Sequence, residues 1–376
     1  MTCFYLFGEE SFIDICSTGT LRTIQTALDN GASVFEKGKE GITPLLSAAK
    51  NNTDPLVMRL LLKNGSKISE TDISGMDALM YASGYNTNEA IIETLIAFGA
   101  DVHTKTQYGM NALLLASMHN ENPKIVKILC DYGAEINLKY PYGDTAIMLA
   151  ASNNQNIDVI KELVRNGASV FDINEQGQTP LTASTSNKNI EIFKYFIEQG
   201  LSINQKNGYD GWTPIFYAGM SAENMAIIPE LIAAGANINE KDNDGYTPIM
   251  RAAQFGRNFE TIIELVKNGA SVQYDSSRKT SPLLLAAYTN SDVRFTKILL
   301  ELGSDVDAVD GNGMTPLMLA ALANKNAYVI ECLLNAGANP KLKSNDGETA
   351  YDYASNNIYI EDTLPFLELE MKTNRN

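Results

Sequence analysis

Histidine is nearly missing from this chain: His103 and His119 are the only two in 376 residues. A histidine-rich metal site or a Ser-His-Asp triad therefore has little to build on. The four cysteines, Cys3, Cys16, Cys130 and Cys332, are widely scattered and form no CxxC pair. They read as reduced, mostly core-filling thiols and not as a disulfide framework. No apolar run approaches the roughly 18 residues that a membrane span needs. The start, Met1 to Glu10, has no basic segment and carries Glu9 and Glu10, which makes a poor signal peptide. A cytoplasmic location is the expectation, with export as an effector by a non-classical route as the alternative. Positive charge is also scarce: 29 Lys and Arg face 45 Asp and Glu, a net charge of −16. This argues against affinity for nucleic-acid phosphates, which needs clustered cations. It favours solubility and, more weakly, a basic partner. P-loop, GxSxG and HExxH motifs are absent. Acid–base and metal-binding side chains are gathered in no motif, so no catalysis, metal or cofactor is expected.

What the chain does have is a repeat. The stretch Gly41-Ile-Thr-Pro-Leu recurs in phase at Gly75, Gly109, Gly143, Gly177, Gly211, Gly245, Lys279, Gly313 and Gly347, each 34 residues after the last. Glycine at this slot points to a turn with positive φ, so Lys279 predicts a locally altered one. Two residues on stand Thr43, Asp77, Asn111, Thr145, Thr179, Thr213, Thr247, Ser281, Thr315 and Thr349, all N-cap types. Proline or alanine follows, and proline suits the first helical position. Small residues such as Ala48-Ala49 and Ala252-Ala253 then allow close helix approach. A second apolar segment has helical spacing, for example Ile125, Val126, Ile128 and Leu129, and ends at a glycine such as Gly133.

Gly-x-Thr-Pro-Leu-x-x-Ala-Ala, a second helix, then Asn-Gly-Ala-x-Val/Ile resembles the ankyrin repeat over essentially residues 9–376. The resemblance implies an all-α solenoid of about eleven helix–turn–helix units with projecting β-hairpin-like loops. It is read as a single domain, 1–376, with a cap repeat at 9–40, nine internal repeats at 41–346 and a cap repeat at 347–376. The last helix is expected around Tyr359 to Met371. The period departs from the family's usual 33, in a variant similar to many bacterial ankyrin proteins. The extra residue falls between the helices, at Asn52-Thr-Asp54, Asn86-Thr-Asn88, Asn120-Glu-Asn122, Asn154-Gln-Asn156, Gly256-Arg-Asn258, Asn290-Ser-Asp292 and Asn324-Lys-Asn326. The first residue of each reads as a left-handed helix end and the second as a cap of the next helix. One copy slips register, and a bulged finger is expected at Gln205 to Asp210.

No chemistry is carried by the remaining motifs. Asp242-Asn-Asp244-Gly245 is a faint calcium loop, but its twelfth position, counted from Glu240, is Arg251 and not Glu. Asn51-Asn-Thr53 and Asn64-Gly-Ser66 are glycosylation sequons lying in repeat turns.

In ankyrin-like folds the loop tips and first helices form a concave surface. Here those slots hold Tyr85, Met118, Trp212, Met220, Tyr246, Phe255 and Tyr288. Apolar and aromatic side chains at such slots are interface anchors, or else they pack on adjacent loops and stabilise the stack. Trp212, Met220, Tyr246, Phe255 and Tyr288 are expected to form one patch across neighbouring repeats. Arg251 is the odd residue of its slot. It either stacks on Tyr217 of the preceding repeat or anchors an anion. The expected function is a monomeric scaffold binding an unidentified protein on this face, with no nucleic acid or membrane. The alternative is an acidic inhibitor or effector that blocks a basic surface on a target enzyme or nucleic-acid-binding protein.

Overall fold

A computed structural model describes residues 11–221, 225–273, 275–361 and 363–374. These residues hold 22 α-helices and no named strand. The chain divides into two compact units, Met1–Leu201 and Ser202–Asn376. Within each, first helices pack on the first helices of neighbouring repeats, and second helices mostly on second helices, giving two helical layers.

The first full repeat shows why. Thr43 stands outside helix Pro44–Asn51 and its hydroxyl accepts the Leu46 N–H at 3.3 Å. Pro44 occupies the first turn, where no backbone donor is lost. Ala48 and Ala49 are fully buried, so the flanking helices come close. Helix Pro55–Lys63 buries Val57, Met58 and Leu61, each contributing roughly 1.5–3 kcal/mol. All ten expected residues stand at helix N-caps, and in seven the side chain accepts a backbone N–H. Thr145, Thr213 and Thr247 do not make that bond. The opening of the N-terminal cap, Glu9 and Glu10, lies outside the described residues, as does Cys3. The C-terminal helix is Leu364–Asn374 and starts later than expected, because Pro365 is tolerated only in a first turn.

The finger turns follow the glycine rule. The nine glycines have φ from +73° to +87°, and Lys279 holds the same region at +52°. An ordinary finger closes with the N–H of Asp242 on the carbonyl of Tyr246, four residues on, at 2.9 Å. Around Lys279 the closure widens by one residue, from Asp275 to Thr280 at 2.7 Å, in the single bridge among the described residues. The slipped finger widens likewise, from Asn207 to Trp212. Asn207 fills the bulge by accepting the N–H groups of Asp210, Gly211 and Trp212.

The inter-helix asparagines correct one expectation. They are not left-handed: Asn52, Asn86 and Asn120 are extended, with φ of −80°, −105° and −93°. Their side chains are buried and join one repeat to the one before. The Asn86 amide donates to the carbonyls of Ala49 and Asn52, at 3.0 and 2.8 Å. Asn120 repeats this on Ser83 and Asn86, Asn154 on Ser117 and Asn120, and Asn187 on Ala151 and Asn154. Each side-chain oxygen accepts the N–H two residues on, as in Asn88 to Asn86. Helix-end carbonyls, which have no partner in their own helix, are satisfied in this way. The second unit has the same ladder at Asn324 and Asn357. There the slots at Ser221 and Gly256 carry no amide side chain. The second residue of each motif caps the following helix as expected, Asn88 on the Ala90 N–H and Asn122 on the Lys124 N–H.

Candidate binding face of first helices and fingers

In the first unit, Tyr85 ends helix Ala78–Tyr85 and is exposed. Its ring stacks on His119 with centroids 5.5 Å apart, and the Lys50 ammonium lies 5.0 Å from its centroid. Partial burial lowers the pKa of His119 below its usual value. Met118, one residue before, is half-buried. Tyr81 donates its hydroxyl to Asp72 at 2.7 Å. Burial, and then that carboxylate, push the phenol above its ordinary range.

In the second unit, the residue nine places after the finger's acid is Arg251, where the first unit has Tyr81 after Asp72. Arg251 is buried. Its Nε donates to Asp242 at 2.7 Å and its Nη2 to Asp244 at 2.7 Å. Its guanidinium lies 4.4 Å from the centroid of Tyr246. Burial opposes the charged form of Arg251, and the two carboxylates outweigh it, so its pKa is raised. The expectation of stacking on Tyr217 is therefore corrected: the partner is the finger residue Tyr246, because Asp242 and Asp244 pull the guanidinium toward its own loop. Tyr217 instead accepts a hydrogen bond from Asn207. The faint calcium loop also gains its explanation, since its two carboxylates hold an arginine.

Trp212 joins this cluster. It is half-buried, stacks on Phe216 at 5.9 Å and meets Tyr217 edge-on at 5.5 Å. Its indole N–H donates to Asp242 at 3.2 Å. Trp212, Asp242, Arg251 and Tyr246 are thus one connected group, and Arg278 adds a second guanidinium 5.1 Å from the Tyr246 ring.

Beyond Tyr246 opens a groove of about 490 Å³, wholly within the second unit. Tyr246 and Tyr288 line it, together with Arg278, Lys279, Leu319 and Leu322. Such a volume falls in the range of ordinary ligand clefts. Tyr288 is 41% exposed and Leu322 40%. Met220 is half-buried and Phe255 is 49% exposed, and neither lines the groove. Arg278, Leu319 and Tyr353 were not singled out as site residues from the sequence. For Arg278 a signal existed, a cation at a finger tip beside the one non-glycine turn.

No described helix is long and apolar enough to cross a membrane. Among the described residues no group of three or more His, Cys, Asp or Glu is placed to hold a metal.

Comparison with known proteins places this geometry. A family model described as ankyrin repeats (3 copies) matches residues 12–106, 54–140, 85–175, 113–207, 147–242 and 215–310. A second, ankyrin repeats (many copies), matches residues 299–354. Among solved structures, the crystal structure of the human ASB11 ankyrin repeat domain is similar in fold, with a TM-score of 0.50 and 21% identity. That match covers 61% of this chain and 99% of the other. No curated protein matches. With matching family models over most of its length and a helix-pair repeat throughout the described residues, the chain belongs to the ankyrin-repeat family.

Proposed function

We propose that this chain is a protein-binding scaffold whose partner sits on the face of finger tips and first helices. Ankyrin repeats are in general protein–protein interaction modules and typically not enzymes. The observation that carries the reading is the groove beside Tyr246, whose Tyr288 and Leu322 side chains stay substantially exposed. Aromatic and aliphatic groups held open on a rigid face are what interface anchors require. The scaffold acts as a cytoplasmic monomer, on a protein and not on nucleic acid or membrane.

The test is affinity capture from a lysate with wild type and a Tyr288→Ala/Leu322→Ala variant. Both side chains are exposed, so the variant keeps its fold. A partner held by wild type and lost by the folded variant supports the reading. Equal capture by both moves the partner to another part of the face, and capture by neither counts against a scaffold.

A second reading rests on the net charge of −16. In it the chain is an acidic inhibitor or effector covering a basic surface on its target. Binding that weakens steeply with salt favours this reading, and salt-independent binding removes it.

A further inference from the structure

The groove of the second unit is lined by fingers of opposite charge. Arg278 and Lys279 come from one finger, Asp310 from the next and Asp346 from the one after. The other cations nearby are already matched: Arg251 by Asp242 and Asp244, and Lys241 by Asp275 at 2.7 Å. That last pair occupies the carboxylate of the Arg278 finger itself. Among the described residues, neither Arg278 nor Lys279 forms a salt bridge. Both are exposed. Arg278 is oriented by its contact with the Tyr246 ring, 5.1 Å from the centroid. Lys279 places a cation at a turn position where nine sister repeats have glycine, at a φ of +52° that disfavours any side chain. The same groove is lined by the apolar side chains Tyr288, Leu319 and Leu322.

We propose that this groove takes an extended segment of a partner protein bearing one carboxylate side chain next to a large apolar one. The carboxylate sits against Arg278 and Lys279, and the apolar side chain lies among Tyr288, Leu319 and Leu322. An oriented guanidinium suits a carboxylate because its donors form a planar fork. Asp310 and Asp346 line the same groove, so a run of acids is rejected and one acid is selected. The overall charge of −16 argues for a basic partner, yet charges beyond about 8–10 Å are screened at physiological salt. Two cations and two acids line the groove itself, so the position of each charge, and not their sum, decides what binds there. The inference rests on the protein-binding reading and adds the chemistry of what binds.

The test pans a phage-displayed library of random dodecapeptides on the full chain. Selected peptides are then measured on Arg278→Ala/Lys279→Gly and on Arg278→Gln. Glycine at 279 removes the backbone strain, and Arg278 is exposed, so both variants keep the fold. Peptides pairing Asp or Glu with Leu, Phe or Tyr are expected. Their affinity should fall roughly 10- to 100-fold on the double variant and about tenfold on the single one. Selection of basic peptides, or equal binding to wild type and both variants, overturns the inference and leaves the scaffold standing. A library that yields no binding peptide also overturns the inference, and the scaffold reading is then decided by the affinity capture above.

Discussion

Replacing Arg251 with leucine removes the charge that balances Asp242, whose side chain has 0% exposure. Breaking a buried pair by deleting one partner costs about 3–5 kcal/mol, because the remaining charge is stranded. Asp242 keeps three other donors, the N–H groups of Asp244 and Tyr246 and the indole of Trp212. The loss therefore falls at the low end, about 3 kcal/mol. The first unit supplies the control. Tyr81 stands nine residues after Asp72 and donates to it at 2.7 Å. Arg251→Tyr places a hydroxyl donor at the same spacing and should cost only about 1 kcal/mol. Arg251→Leu combined with Asp242→Asn should be milder than Arg251→Leu alone, since no buried charge remains. Urea unfolding measures all three. Trp212 is the only tryptophan, and its indole touches Asp242, so fluorescence reports on this cluster. The reasoning fails if Arg251→Leu loses less than about 1 kcal/mol, or if Arg251→Tyr is no milder than Arg251→Leu.

Two further outcomes are expected. Asn120→Ala strips two donors from the carbonyls of Ser83 and Asn86 and an acceptor from the Asn122 N–H, at a cost of about 2–4 kcal/mol. Asn120→Asp should cost more, since a carboxylate turns an acceptor oxygen toward both carbonyls; urea unfolding followed by circular dichroism ranks the two. The lowered pKa of His119 means that the folded chain prefers its neutral form. The corresponding stability is whole above the usual value of 6.5 and is lost as pH falls through the lower folded value. His119→Phe keeps a ring on Tyr85 but cannot titrate, so its stability should vary less with pH below 6.5 than that of wild type. Identical pH profiles for the two proteins would contradict this.

Much of the fold was legible because its signals are local. A threonine before a proline marks a helix start through one side chain and one backbone donor, and Thr43 does so at Leu46. A glycine marks a positive φ through its own missing Cβ, so a lysine in that slot marks the altered turn at Lys279. The register slip at Asn207 was likewise visible by counting, and the bulge lies where the count placed it. The candidate site was less legible. Tyr246 and Tyr288 line the groove, but their spacing along the chain does not say that Arg278 and Leu319 line it with them.

Helix starts and turn handedness were determined by the sequence alone, since each depends on residues within a few positions of one another, and the repeat period and the excess of acid follow from counting along the chain. Only tertiary structure decided where long side chains reach. The asparagines between the helices carry a strict spacing, yet their extended backbone and their bonds to a carbonyl of the preceding repeat, as from Asn86 to Ala49, exist only when repeats are stacked. Arg251 was visibly odd, but a flexible arginine had more than one aromatic ring in reach. The buried carboxylate of Asp242 drew it to Tyr246 and away from Tyr217. That neither Arg278 nor Lys279 forms a salt bridge among the described residues is of the same kind, since Lys241, from the preceding finger, takes Asp275.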